Sequence, residues 1–251
     1  MFISANQLHR EMGVDLTIAR FFVDRAVPQD NSFWEGKLLY ISFGNGYLSI
    51  PVYYDLLHRI GMPLDLLLAE DHILFTEKLM HHAIEQERKK ITKNEEQIAI
   101  RDLLKGRIKN PDWYLSLCNY LDQGILKPMH AFGLEPPSLN RADVFLYVLC
   151  DLPLNEKQWK LAVRYWYALH PTYLVMDDLR DYEKDRERGE DNVVLEWGDV
   201  SGGFKRAMDM IRANCEILSE VNSRLAEFFL SYEEDLISTQ WHLINSALPK
   251  E

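Results

Sequence analysis

Carboxylates dominate one short segment of the sequence, residues 177–185, with the sequence DDLRDYEKD. Asp177, Asp178, Asp181 and Asp185 recur at helical spacings, so an α-helix would carry them along one face. Like charges at this spacing repel, and solvent, basic neighbours or bound cations must compensate. Carboxylate oxygens suit Mg²⁺, which commonly adds water and phosphate oxygens as further ligands. The spacing is compatible with a divalent-metal site that faces a diphosphate; a solvated, salt-bridged helix end is the alternative.

The preceding sequence predicts the element that positions these carboxylates. Asn155 is a suitable N-cap for a long helix that begins at Glu156. Apolar residues then recur every three or four positions: Trp159, Val163, Trp166, Leu169, Tyr173 and Met176. This pattern predicts a buried helix whose end carries the acidic segment to the rim of a pocket. Pro171 lies inside the pattern and predicts a kink or a short break.

Helical periodicity also dominates the rest of the chain. It predicts one long helix from Pro63 to about Lys90, another over residues 138–149, and a last one from Tyr232 to about Ala247. The Gly202–Gly203 pair predicts a break between helices. No linker is long enough to separate domains. The sequence therefore predicts a single all-α domain over residues 1–251, packed as a bundle of about ten helices.

Composition excludes several classes of protein. With 39 acidic and 28 basic residues the net charge is −11, which argues against a nucleic-acid-binding role. The three cysteines are far apart and lack zinc-site spacing. The longest uncharged run, residues 38–54, is too short and polar to span a membrane, and the first residues lack signal-peptide features. We expect a cytoplasmic protein with no integral membrane association.

The acidic segment resembles motifs of a known superfamily. Residues 169–182 resemble the second aspartate-rich motif of trans-prenyl diphosphate synthases, and residues 182–194 continue like the second metal motif of bacterial class I terpene synthases. In that motif, an Asn or Asp pair is followed by metal ligands four and eight residues on. Asp177, Asp181 and Asp185 stand at those positions. The clear resemblance covers residues 138–194, and both families share the all-α isoprenoid synthase fold.

The resemblance implies a function and its cofactor. It implies a Mg²⁺-dependent terpene synthase or prenyl diphosphate synthase, a prenyltransferase or cyclase that releases diphosphate from an allylic prenyl diphosphate. Cationic side chains would also bind the diphosphate, and Lys127, Arg141 and Arg164 are the candidates in the central part of the chain. Prenyl synthases are often dimers, which keeps a homodimer open.

The sequence departs from the superfamily at one important position. Class I enzymes carry a first aspartate-rich motif on an earlier helix, and no DDxxD precedes Asp177 here. Asp71 is the nearest candidate, next to Glu70 and with Glu77 on roughly the same helical face. Two alternatives therefore stay open. One is a catalytically silent protein of this fold that serves as a binding or regulatory subunit, and the other is a helical interaction module whose acidic helix is only solvated.

Overall fold

A computed structural model describes residues 4–27, 40, 49–87, 89–122, 132–198 and 200–234. These residues form helices and contain no strand, which confirms the predicted all-α class. Two 3₁₀ segments, Pro137–Asn140 and Asp143–Asp151, lie between α7 and α8. The α-helices are α1 (Ala5–Glu11), α2 (Leu16–Val23), α3 (Ser49–Arg59), α4 (Leu64–Leu67), α5 (Glu70–Glu87), α6 (Lys93–Leu103), α7 (Pro111–Asp122), α8 (Glu156–Arg180), α9 (Tyr182–Arg188), α10 (Val193–Glu196), α11 (Val200–Ser219) and α12 (residues 223–234).

Helix α8 is the element around which the candidate site is built. Asn155 begins it with a capping box, because its side chain accepts from the Gln158 N–H at 2.9 Å and its own N–H donates to the Gln158 side chain at 3.1 Å. The helix packs against α3, α11 and both 3₁₀ segments. Trp159 and Trp166 are fully buried on it. The predicted long buried helix is confirmed.

Pro171 does not break α8, so of the two predicted alternatives, a kink or a short break, the break is wrong. The helix continues through the proline to Arg180. The next residue, Thr172, donates its hydroxyl to the Ala168 carbonyl at 2.7 Å and accepts from the Asn214 side chain at 3.1 Å. Asn214 lies on α11, so tertiary contacts hold the turn that the proline would weaken.

The predicted break at Gly202–Gly203 is also wrong, because both glycines lie in the first turn of α11. A Cβ atom at Gly203 would lie 2.7 Å from the Val194 carbonyl oxygen. The glycine is therefore needed for the close approach of α11 to α10. A local helix breaker in the sequence is here a packing residue.

Three further boundaries differ from the sequence prediction. The segment that begins at Pro63 is divided into α4 and α5 at residues 68–69. Residues 138–149 form 3₁₀ rather than α-helical turns. The helix expected from Tyr232 already begins at residue 223, and its expected end at residue 247 lies outside the described residues. Within the ranges given above, none of the helices combines the length and apolar character needed to cross a bilayer.

Candidate functional site

Three carboxylates of the acidic segment lie on successive helical turns. Helix α8 ends at Arg180, and α9 begins at Tyr182 after the single non-helical residue Asp181. The hydrogen bonds continue across this interruption. The Asp181 N–H donates to the Asp177 carbonyl at 2.9 Å, and the Asp185 N–H donates to the Asp181 carbonyl at 2.9 Å. Asp177, Asp181 and Asp185 therefore lie on successive turns, as their spacing predicted. Asp178, which was predicted on the same stripe, is buried, as is Asp185.

Asp178 is buried, and both of its carboxylate oxygens accept hydrogen bonds from protein donors. Its side chain is 3 % exposed, and its Oδ1 accepts from Arg141 Nη2 at 2.7 Å. Its Oδ2 accepts from the Val193 N–H at 2.8 Å and from Arg141 Nη1 at 3.4 Å. Because both oxygens are bonded, Asp178 links α8 to the 3₁₀ region and to the start of α10. Its predicted role as a metal ligand stays a prediction, and its observed contacts are structural.

Asp185 is buried and held by Asn192. The Asn192 amide donates to Asp185 Oδ2 at 2.9 Å and to the Asp178 carbonyl at 2.7 Å. Its side-chain oxygen accepts from the Val194 N–H at 3.0 Å and so caps α10. One asparagine thus fixes the position of the acidic segment relative to the next helix.

Asp177 and Asp181 are the accessible aspartates among the four predicted metal ligands, since Asp178 and Asp185 are buried. Their side chains are 50 % and 34 % exposed, and they pair with Arg180 and with Lys184, respectively. Burial raises the pKa of Asp177; Arg180 opposes this rise, and the Asp181 carboxylate adds to it. Segment 177–191 contains eight acidic and four basic side chains. This excess of negative charge favours a bound cation.

Arg141 is the cationic candidate that the structure brings to the acidic segment. Arg141 bonds Asp178, and its positive charge also lowers the pKa of Asp177. Burial, which raises that pKa, is the larger influence. Arg164 instead pairs with Glu220 at 2.6 Å. It precedes Asp177 by roughly 20 Å along the axis of α8. Lys127 lies outside the described residues.

The candidates for a first metal motif lie elsewhere and are bound by arginines. Arg25 Nη1 donates to Glu70 at 2.7 Å, and Arg25 Nε donates to the buried Glu77 at 2.9 Å. Asp71 lies 3.6 Å from Arg107, which also bonds Asp151 at the C-terminal end of the second 3₁₀ segment. Arg141, the partner of Asp178, precedes the other end of that segment. Asp71 and Asp178 are therefore not placed face to face by these contacts.

A buried carboxylate fixes the 3₁₀ segment that follows Arg141. Asp143 accepts from the Tyr120 hydroxyl at 2.6 Å, the Tyr167 hydroxyl at 2.7 Å and the Trp166 indole N–H at 2.9 Å. Burial raises the pKa of Asp143 to about 6, although its three donors act in the opposite direction. The network joins α7, the 3₁₀ segment and α8. It therefore helps to set where Arg141 lies.

Sequence reasoning missed Asn192 and Asp143 as positioning residues. Both had a recognisable signal. Asn192 directly precedes the apolar pair Val193–Val194, which is the pattern of an N-cap. Asp143 is the single charged residue in the run 142–150, and an isolated charge in an apolar run needs a buried partner. Neither signal identifies the partner, because the partners are distant in sequence.

The donor chemistry of the segment fits Mg²⁺ in part. Mg²⁺ is usually bound by one or two carboxylates together with waters and phosphate oxygens, and Asp177 and Asp181 can supply two. Within the described ranges, no three His, Cys, Asp or Glu side chains are grouped closely enough to hold a metal ion. Comparison with known protein families, curated proteins and solved structures finds no match to this chain.

Proposed function

We propose that this chain is a protein of the class I isoprenoid synthase type that acts on an allylic prenyl diphosphate with Mg²⁺. The observation that carries the proposal is the alignment of Asp177, Asp181 and Asp185 on successive turns at the end of a buried helix. The superfamily resemblance rests on the same three positions. In this reading the acidic face binds the anionic end of the substrate through the metal, while α8 leads from that face into the apolar interior.

Asp177 and Asp181 are the residues that would hold the metal. Their present partners, Arg180 and Lys184, form partly exposed ion pairs three residues apart in sequence. Such pairs contribute only about 0–1 kcal/mol each, so a divalent cation can displace them at little cost. Mg²⁺ held there would neutralise a diphosphate and help it leave as an anion.

The other residues of the site orient these two carboxylates. Asn192 holds Asp185 and the Asp178 carbonyl, so it fixes the turn between the two exposed aspartates and α10. Arg141 lies at the same end of α8 and carries a positive charge beside the segment. A guanidinium is suited to bidentate contact with phosphate oxygens, so Arg141 is the protein donor proposed for the diphosphate.

A catalytically silent protein of the same fold, acting as a binding or regulatory subunit, is the second candidate. The observation in its favour is the clamp of Arg25 on Glu70 and Glu77, the two acidic residues that accompany Asp71. A carboxylate already bonded to a partly buried arginine is a poor metal ligand, because its release would leave the arginine without a partner. This candidate predicts that the protein binds diphosphate through Mg²⁺ but does not release it from a substrate.

Two measurements on the purified protein test the proposal. The first is release of diphosphate from geranyl, farnesyl and geranylgeranyl diphosphates with Mg²⁺. The second is calorimetric binding of inorganic pyrophosphate with and without Mg²⁺. Release supports the enzyme, and Mg²⁺-dependent binding without release supports the silent subunit. If neither occurs, both candidates are rejected.

A double variant locates the binding site. Asp177→Ala combined with Asp181→Ala should weaken Mg²⁺-dependent pyrophosphate binding at least about tenfold, since two metal ligands are lost. Asp209→Ala is the matched control, because Asp209 is an exposed carboxylate on α11 that pairs with Lys205. Equal binding by the double variant and the control would show that the metal is held elsewhere.

A further inference from the structure

Three buried polar groups on α8 lack hydrogen-bond partners among the described residues: the Trp159 indole N–H, the His170 ring nitrogens and the Tyr173 hydroxyl. His170 and Tyr173 are the two of these residues nearest to Asp177 along the helix. His170, Tyr173 and Asp177 are spaced by three and four residues, so they share one helical face. His170 is 8 % exposed. Within the described part of the chain, neither of its ring nitrogens nor the buried Tyr173 hydroxyl has a hydrogen-bond partner. Buried polar groups are almost always paired, so the unpaired groups of His170 and Tyr173 indicate a missing partner.

Both side chains are held in place by aromatic packing. The His170 ring stacks on Trp166 with 4.6 Å between centroids and 3° between planes. Tyr173 packs edge-on against Phe229 of α12 at 5.0 Å. Neither ring can turn towards another partner without losing this contact. The unpaired atoms therefore stay where they are in the resting protein.

Both side chains are neutral and can both donate and accept hydrogen bonds. Burial, with a smaller contribution from the charge of Arg141, lowers the pKa of His170 to about 3. Burial raises the pKa of Tyr173 above its usual range. A neutral imidazole offers one N–H and one acceptor nitrogen, and a phenol offers one O–H. This combination suits a hydroxyl or carbonyl group and does not suit a charged one.

We infer that the prenyl diphosphate bound by this protein carries an oxygen function on its chain, which hydrogen-bonds to His170 and Tyr173. This inference rests on the proposed function. Along the helix axis, Tyr173 lies about 6 Å and His170 about 10 Å from Asp177, at about 1.5 Å per residue. A ligand held by its diphosphate at Asp177 and extended along α8 would bring its chain carbons to the level of both residues. A plain hydrocarbon chain leaves both groups unpaired, whereas a hydroxyl pairs with them.

The test compares two ligands that differ by one hydroxyl. Calorimetry with Mg²⁺ measures binding of geranyl diphosphate and of geranyl diphosphate with a hydroxyl on its terminal carbon. We expect the hydroxylated compound to bind at least about tenfold more tightly, because a site built around a hydroxyl rejects the analogue that lacks it. His170→Phe and Tyr173→Phe should each reduce this preference and leave inorganic pyrophosphate binding unchanged.

Pyrophosphate binding distinguishes failure of this inference from failure of the proposed function. If pyrophosphate binds but the two prenyl compounds bind equally, the inference is wrong and the proposed function stands. If pyrophosphate does not bind and no diphosphate is released from any prenyl diphosphate, both the inference and the proposed function are wrong.

Thermal unfolding of the ligand-free His170→Phe variant gives a second test. Phe keeps the stack on Trp166 and removes the unpaired nitrogens, so we expect the melting temperature to rise by about 2–4 °C. A fall would show that the nitrogens are bonded in the resting protein and would overturn the inference. Tyr173→Phe removes only a hydroxyl and should shift the melting temperature in the same direction.

Discussion

Replacement of Asp143 by Asn tests whether a buried carboxylate positions the candidate site. The Asp143 carboxylate accepts from Tyr120, Tyr167 and Trp166 at 2.6, 2.7 and 2.9 Å. An asparagine in the same place accepts at one atom only and points its NH₂ group at a remaining donor. One of the three donors therefore loses its acceptor inside the core.

The size of the effect follows from two opposing contributions. A hydrogen bond to a charged group contributes about 1.5–3 kcal/mol, and a stranded buried donor costs about 1–3 kcal/mol. Removal of the buried charge offsets part of this loss, because burial has raised the pKa of Asp143 to about 6. We expect Asp143→Asn to lower the free energy of unfolding by about 2 kcal/mol at pH 8.

The raised pKa also predicts how the loss changes with pH. In the wild type, the stability that Asp143 contributes by its raised pKa is present in full below its unfolded value of 3.8 and is lost as pH rises through about 6. The variant lacks this dependence. The difference between the two proteins should therefore be about 1 kcal/mol larger at pH 5 than at pH 8.

Urea unfolding followed by tryptophan fluorescence at pH 5, 6, 7 and 8, chosen as roughly even steps across the expected transition, measures both quantities. Asp209→Asn is the control, since Asp209 is exposed and pairs only with Lys205 among the contacts seen here. It should change stability by less than about 0.5 kcal/mol. A similarly small effect of Asp143→Asn, or a loss that shrinks towards pH 5, would refute the reasoning.

Two further substitutions test the packing of the helices. Gly203→Ala places a Cβ atom 2.7 Å from the Val194 carbonyl oxygen, so we expect a net loss of about 1–2 kcal/mol in chemical denaturation despite the better helix propensity of alanine. Unchanged stability would show that α10 and α11 can separate freely. Burial raises the pKa of Glu96 to about 7, with Lys93 opposing. Its stabilising contribution is lost as pH rises through that value, so Glu96→Gln should be about 1 kcal/mol more stable than wild type at pH 8 and lose this advantage by about pH 5. A variant less stable than wild type at pH 8 would contradict this.

Local signals in the sequence, such as a capping residue and helical spacing of apolar residues, were sufficient to predict helix α8. The capping residue Asn155 and the apolar residues after it predicted α8, because both act within one or two turns of the chain. The breaks predicted at Pro171 and at Gly202–Gly203 were wrong for the complementary reason. Contacts from α11 and α10 override the local tendency of each residue to interrupt a helix.

In the acidic segment, too, local spacing predicted part of the arrangement and tertiary contacts decided the rest. Helical spacing alone placed Asp177, Asp178, Asp181 and Asp185 along one stripe, since that relation needs only the helical period. Spacing could not separate the exposed Asp177 from the bonded Asp178, its direct neighbour. That difference comes from Arg141 and from the Val193 N–H, which approach through tertiary packing and occupy both Asp178 oxygens. Which carboxylates remain available to a metal is therefore a property of the folded arrangement, because it depends on donors that lie far away in the sequence.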